Sequence, residues 1–533
     1  MGGRRNVAQL LSCVGVGVGV GCAALLMAPL MSLTTGVPAG AVTSHAGLVG
    51  HVTANVAGTY VPLSPDRITD TRAGSGLPNA GDTLGAGKSI NVQVTGVGAV
   101  PTTGVTAVVV NVTVVGPTAS SYVSVFPEGT TQPVVSNLNF TVGETLANLA
   151  TVPVGTQGGL TVYNYTGSVD VVVDVEGYYT TTSQTSGLYN PVNPDRVLGT
   201  LASGAYIGPN ILTQVPVVGI DNVPSDASAV VANVTASASS GPGFLTVFPT
   251  PASTTSIAVP IASNVNFSTG QVIANRVIIP VGSNGEIDLY NNSGSVNVDI
   301  DLDGYYTGSA GELGSAYTPM SPVRVTDTRT ASNGSQLGGG DSETFTFLSE
   351  GLSSTATALV ANVTVVAGVG AGYLTVYPTT DSTPPAASDA NFTGNAVAQS
   401  FAMAPLNGAA TDLYNSSAVP VNIVIDAFGF FEPPPPAVAV VANPNSLAAD
   451  GVSTSVVTAT VTNGSGVSFD DPVSLALTPS VAGSCGTATA PGSTNASGQV
   501  MSTYTASSIA GTCTITATEA NGGVQGSAVI TQS

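Results

Sequence analysis

YVPLSPDRITDTR, from Tyr60 to Arg72, returns as YNPVNPDRVLGTL from Tyr189 and as YTPMSPVRVTDTR from Tyr317. The stretch opens a unit repeated three times, and the rest of each unit keeps register with it. A strand-like run ends in Asn-Val-Thr at Asn111-Val112-Thr113, Asn233-Val234-Thr235 and Asn362-Val363-Thr364. An aromatic run with a proline stop follows at Tyr122 to Pro127, Phe244 to Pro249 and Tyr373 to Pro378. Ser136-Asn137-Leu138-Asn139-Phe140 is matched by Ser263-Asn264-Val265-Asn266-Phe267 and, more loosely, by Ser388-Asp389-Ala390-Asn391-Phe392. The units close on DVEGYY (Asp174 to Tyr179), DLDGYY (Asp301 to Tyr306) and DAFGFF (Asp426 to Phe431).

Each unit is about 120 residues of short β-like runs punctuated by Gly, Pro, Asn and Ser, with no apolar spacing of three and four sustained over a dozen residues. The expectation is all-β: three tandem antiparallel β-sandwich modules at 60–180, 188–307 and 316–432, with the jelly roll as one form they could take. A unit of this size can bury its own core, so the expected arrangement is beads on a string. The joining segments 180–187 and 308–315 are short and polar, giving neighbouring modules limited freedom. Pro433 to Pro436 form a stiffer polyproline linker before a different domain at 437–533.

Composition agrees with β structure, since 7% of the 533 residues are charged and 43% hydrophobic, with β-branched residues common. The formal charge of −21 repels phosphate backbones, so no nucleic-acid partner is expected. Arg4 and Arg5 precede an apolar run from Leu10 to Leu33 and small residues at Ala39-Gly40-Ala41, the pattern of a secretory signal peptide over 1–41, followed by a linker over 42–59. The apolar run is long enough to act as an anchor if uncleaved, and a membrane association is expected only then. Cleavage removes Cys13 and Cys22 and leaves Cys485 and Cys513 in an exported chain. There pairing is the default, closing a loop of about 29 residues and contributing on the order of 3 kcal/mol in the chain-entropy model.

In the last domain, Ala448-Ala449-Asp450-Gly451 precedes SVVTATVT (Ser455 to Thr462), Asn495-Ala496-Ser497-Gly498 marks a turn, and Ala510-Gly511-Thr512-Cys513-Thr514-Ile515-Thr516-Ala517 ends it. These three motifs, in this order, resemble a bacterial immunoglobulin-like (Ig-like) domain of the intimin/invasin type over about 95 residues. The resemblance implies an Ig-like β-sandwich of the kind that serves as a stalk or adhesion unit. The three upstream units are similar to repeats of secreted actinobacterial surface proteins, through P-x-R-x-x-D-T-R and D-x-x-G-Y-Y. That likeness implies an exported surface protein and no particular activity.

Basic residues are scarce, and Arg67, Arg72, Arg196, Arg324 and Arg329 all fall in the opening stretches, with Lys88 and Arg276 elsewhere. The first arginine recurs in all three units, whereas Gly199-Thr200-Leu201 removes the second from the middle one. Asp174, Asp301 and Asp426 recur at the far end, so the expected ion pairs are Arg67 with Asp174, Arg196 with Asp301 and Arg324 with Asp426, in bidentate geometry near a module seam. Asp299, Asp301 and Asp303 alternate along one strand and would project from one face, suiting either Ca²⁺ or solvent. No other cofactor is expected. Tyr178, Tyr179, Tyr305 and Tyr306 could form a sugar-stacking platform; the alternative places one ring on the core and the other against a linker. Asn-x-Ser/Thr at Asn111, Asn139, Asn233, Asn266, Asn362 and Asn391 reflects composition and repetition rather than glycan sites. The histidines, His45 and His51, lie near the leader, so no Ser-His-Asp or Cys-His constellation can form in the modules, and no enzyme is expected. The expected role is non-catalytic: an exported structural or adhesion protein of the cell surface or extracellular space. The alternative is multivalent binding of cell-surface or cell-wall polysaccharide, or of another surface protein; a carboxylate-pair glycosidase is the remote third reading.

Overall fold

A computed structural model describes residues 57–533, apart from 182–185, 221, 253–256, 310–312, 331–334, 349–351, 368–369, 395, 464–465, 468–469 and 521–522. The expected leader and both histidines lie outside the described residues. None of the helices among the described residues is long and apolar enough to cross a membrane.

The chain is all-β. Its first eight strands are β1 (Thr59–Asp70), β2 (Lys88–Gln93), β3 (Val105–Val115), β4 (Ser121–Pro127), β5 (Leu138–Phe140), β6 (Thr145–Pro153), β7 (Gly159–Asn164) and β8 (Asp170–Thr180). They form two four-stranded antiparallel sheets, ordered β1-β8-β3-β6 and β2-β7-β4-β5. The second repeat supplies β9 (Tyr189–Gly199), a one-turn helix α1 (Thr200–Ser203), β10 (Ile211–Pro216), β11 (Ala229–Ser237), β12 (Gly243–Pro249), β13 (Val265–Phe267), β14 (Ile273–Pro280), β15 (Glu286–Asn291) and β16 (Asn297–Tyr306). The third supplies β17 (Ala316–Asp327), β18 (Ser342–Thr346), β19 (Ala358–Ala367), β20 (Gly372–Tyr377), β21 (Ala390–Phe392), β22 (Val397–Pro405), β23 (Ala410–Asn415) and β24 (Val421–Glu432). In both, the first, eighth, third and sixth strands make one sheet, and the second, seventh, fourth and fifth make the other. Valines from both sheets of the first repeat, such as Val110 and Val173 facing Val125 and Val162, share one core, as a β-sandwich requires.

A second core lies between the repeats. Ala107, Val109 and Leu149 of the first, Ala229, Val231 and Ile278 of the second, and Val360, Phe401 and Met403 of the third belong to one buried cluster. The three repeats therefore close on one another and are not beads on a string. The cause is visible in β3, where Val108, Val110, Val112 and Val114 fill the sandwich while Ala107 and Val109, on the opposite face, fill the shared core. β11 is buried at every position. β3 and β11 are mostly apolar and covered on both faces, not the half-solvated strands of an isolated sandwich.

The last region contains β25 (Ala437–Asn443), β26 (Ser446–Leu447), β27 (Thr454–Asn463), β28 (Gly466–Val467), β29 (Val473–Pro479), β30 (Thr487–Ala488), β31 (Gln499–Thr505), β32 (Gly511–Glu519) and β33 (Gln525–Gln532). One sheet runs β25-β27-β31-β30 with β28 beside β27, the other β26-β33-β32-β29, and the β26–β33 pair is parallel. Cys485 and Cys513 are joined in a disulfide, with Cys513 fully buried on β32. The motif residues make the turns. The Asp450 carboxylate accepts the Val452 and Ser453 N–H groups, and Asn495 Oδ1 accepts those of Ser497 and Gln499, with Gly498 left-handed at φ 68°.

Candidate functional site

The opening stretch and the closing motif meet as β1 and β8. Pro62 faces Gly177 and Asp66 faces Val175, so Leu63, Ser64 and Pro65 bulge opposite the single residue Glu176. Pro65 has no N–H for the ladder, and a bulge is where a strand tolerates that. The third repeat bulges between Pro319 and Val323 in the same way. The Tyr60 ring covers Gly177 so closely that a Cβ there would lie 2.2 Å from the tyrosine hydroxyl; the corresponding approaches are 2.6 Å for Gly304 under Tyr189 and 2.4 Å for Gly429 under Tyr317. The glycine of D-x-x-G-Y-Y is thus set by the tyrosine that opens the repeat.

Beyond the bulge, Arg67 stands directly across from Asp174, Arg196 from Asp301 and Arg324 from Asp426. Each arginine grips its aspartate with two parallel bonds. Nε and Nη2 donate at 2.8 and 3.2 Å in the first repeat, 2.8 and 3.0 Å in the second, and 2.8 and 3.0 Å in the third. The threonine four residues after each arginine accepts a backbone N–H from the last strand of its repeat: Thr71 from Val171, Thr200 from Val298 and Thr328 from Ile423.

These pairs lie at the seams. Asn111 donates its amide to the Ser263 carbonyl of the second repeat, Asn233 to Ser388 of the third, and Asn362 to Ser136 of the first. The Ser-Asn/Asp-x-Asn-Phe loops of the second and third repeats therefore sit on the repeat before them, and the loop of the first sits on the third. The same loops reach the ion pairs: the Ser263 N–H bonds to Asp174, and the Ser136 N–H to Asp426. Burial pushes Asp174 and Asp426 up, against the pull of their arginines. Around the axis the backbone closes the same circle, with Gly58 bonded to Tyr317, Gly187 to Tyr60 and Ser315 to Tyr189.

The aromatic residues complete the hub. Tyr60, Tyr179, Tyr189, Tyr306, Tyr317 and Phe431 are all buried, and their closest pairs cross repeats: Tyr179 with Tyr317 at 4.3 Å, Tyr60 with Tyr306 at 4.4 Å and Tyr189 with Phe431 at 4.5 Å between ring centres. The Tyr179 and Tyr306 hydroxyls bond to each other at 2.5 Å. A sugar-stacking platform at Tyr178, Tyr179, Tyr305 and Tyr306 is therefore corrected, since Tyr179 and Tyr306 have no face open to a ligand. Tyr178 and Tyr305 are partly buried against the cores of their own sandwiches.

The three seams differ in one set of positions. Glu176, Asp303 and Phe428 are equivalent, each two residues after the paired aspartate. Glu176 accepts Asn264 Nδ2 at 2.6 Å and the Ile278 N–H at 3.3 Å, and burial raises it to about 8. Asp303 instead faces Arg276 at 2.7 Å, and Arg276 also bonds to Asp389 across the seam. Arg276 is 1% exposed, so its charge has been taken out of water and is matched by buried carboxylates.

The alternating aspartates of β16 do not gather round a metal ion. Arg196 Nη1 lies 2.9 Å from Asp299 and its Nε 2.8 Å from Asp301, while Asp303 is held by Arg276. They are buried, which overturns the solvated face as well as the Ca²⁺ site, and the described residues contain no group of three acids, histidines or cysteines able to hold a metal. Asp299 is a relocated acid. In the outer repeats Asp70 and Asp327 sit on the first strand, facing Val172 and Val424; in the middle repeat Gly199 takes that place and the facing residue is Asp299. Arg72 and Arg329 hold Asp70 and Asp327. Although burial works against it, their hydrogen bonds keep both carboxyls below the usual range.

Asn111, Asn233 and Asn362 are buried at the seams, and Asn139, Asn266 and Asn391 bond to the serines of their own loops. Repetition in these Asn-x-Ser/Thr triplets thus has a structural use. A cleft of about 270 Å³ opens where the first and second repeats meet, lined by residues that include Arg67, Arg72, Thr113, Phe244, Ile261 and Asn266.

No family model and no curated protein matches the chain. Among solved structures, a chain of Sulfolobus Turreted Icosahedral Virus is similar at 10% identity and a TM-score of 0.14, over 70% of this chain and 91% of that one. A chain from a study of the triple jelly roll fold and turret assembly in an archaeal virus is similar at 10% identity and a TM-score of 0.14, over 70% and 90%. Likeness at this level places no constraint on what the chain does.

Proposed function

We propose that this chain is a non-catalytic exported protein of the cell surface or extracellular space, in which three jelly-roll sandwiches form one closed block and an Ig-like sandwich follows as a structural or adhesive module. The strand order 1-8-3-6 and 2-7-4-5, found three times, is that of two interleaved Greek keys. The order β25-β27-β31-β30 against β26-β33-β32-β29 is that of the A-B-E-D and G-F-C sheets of an Ig sandwich. The intimin/invasin-type motifs and the leader pattern support export and a surface role.

One observation carries the non-catalytic reading. The residues the three repeats share, the opening tyrosine, the ion-paired arginine and aspartate, the seam asparagine and the glycine under the tyrosine, are all engaged in closing the block. Their charges are matched by one another, whereas a catalytic group needs a reacting partner left open to it. Fractionation of the producing cells, with N-terminal sequencing of the protein, tests the proposal. Recovery from the wall or medium with a start near residue 42 is expected; full-length protein confined to the cytosol would overturn it.

A further inference from the structure

We propose that the cleft between the first and second repeats binds an acidic saccharide, taking one uronate residue of a glycan. This goes beyond the proposed surface role and does not depend on it. At about 270 Å³ the cleft is just under the roughly 300 Å³ at which pockets for drug-sized ligands begin, a size for one sugar ring of a chain.

Two features of its lining point to a ligand. Thr113 is 3% exposed and its hydroxyl has no partner, although it borders the cleft. A buried hydroxyl left unpaired costs about 1–3 kcal/mol, so valine would serve better if the position were only packing. Arg72 is the second feature. Its Nε and Nη2 hold Asp70, while Nη1 takes part in none of these bonds and the side chain is 45% exposed at the cleft. A guanidinium edge offered to solvent suits a carboxylate.

The other walls match the two sides of a sugar ring. Phe244 is partly buried and Ile261 is 82% exposed, giving apolar surface for the C–H face, and Ser263 and Asn266 add polar side chains to the same lining. The middle repeat has Leu201 where the first has Arg72, so the equivalent seam lacks the carboxylate partner.

The test is calorimetric titration of the full mature chain with tetragalacturonate, and with maltotetraose and inorganic sulfate as controls. Saturable binding of tetragalacturonate alone is expected. It should weaken about tenfold in Arg72→Gln and in Thr113→Val, with Tm lowered in the first, which loses the pair with Asp70, and unchanged or raised in the second. No binding of tetragalacturonate, equal binding of sulfate, or affinity untouched by both substitutions would overturn the proposal. A fall in Tm for Thr113→Val with affinity intact would do so as well, by making the hydroxyl structural.

Discussion

Alanine at Gly177 would press a Cβ to within 2.2 Å of the Tyr60 hydroxyl, in a hub where no ring has room to retreat. Overpacking of this kind costs about 1–3 kcal/mol, and Gly177→Ala, Gly304→Ala and Gly429→Ala should each lower Tm, as thermal unfolding would show. Tyr60→Phe, which loses one hydrogen bond and no volume, should cost only about 1 kcal/mol. Glu176 makes a pH prediction. Its folded-state value is raised to about 8 by burial, so the native chain holds a proton that the unfolded chain releases near 4.5. The contribution is complete below that lower value and is lost as pH rises towards 8, so stability should fall across this window and then level off. Glu176→Gln should flatten that slope in urea titrations run from pH 5 to 9. An unchanged slope would assign the pH dependence elsewhere.

At the scale of strands, the exchange between β9 and β16 makes the sharpest prediction. Asp299→Val removes the acid 2.9 Å from Arg196 Nη1 and should cost about 1–3 kcal/mol. Adding Gly199→Asp with Leu201→Arg, which rebuilds the outer repeats' arrangement, should recover most of the loss in urea unfolding. No recovery would mean that the acid's position, not its presence, matters. The pairing of the first arginine with the far aspartate was legible because a rare charge recurred at a fixed place in each repeat. Asp299 was not, because D-I-D-L-D along one strand looks the same whether its partners are cations, solvent or an arginine on a strand about 100 residues away in sequence. The two-sided burial of β3 was written in its many valines, yet such a run also fits the centre of a single sandwich, since periodicity names the element and not what covers its second face. The tyrosines misled for the same reason: adjacent rings point to opposite sides, and sequence does not say which side meets another repeat.

For the molecule as a whole, the shared hub implies that residues 57–181 expressed alone would uncover Tyr60, Tyr179, Ala107, Val109 and Leu149. Exposed apolar surface on that scale drives association. Analytical ultracentrifugation should find this fragment self-associated or unfolded; a stable monomer would contradict the closed arrangement. The disulfide acts separately. Cys485→Ala with Cys513→Ala should cost the C-terminal sandwich roughly 3 kcal/mol and leave the three-repeat block unaffected in calorimetry. The contacts across the seams permute in order, first to second, second to third and third to first, as three free copies of one unit would also permit. In such a homotrimer every substitution near the axis would appear three times, and three copies of Arg276 would crowd one another. Joined in a single polypeptide, each boundary can vary independently: one holds a buried Glu176, one an Arg276 between two aspartates, and one an apolar Phe428. Covalent fusion thereby turns a symmetric assembly into one whose subunits have fixed and distinguishable neighbours.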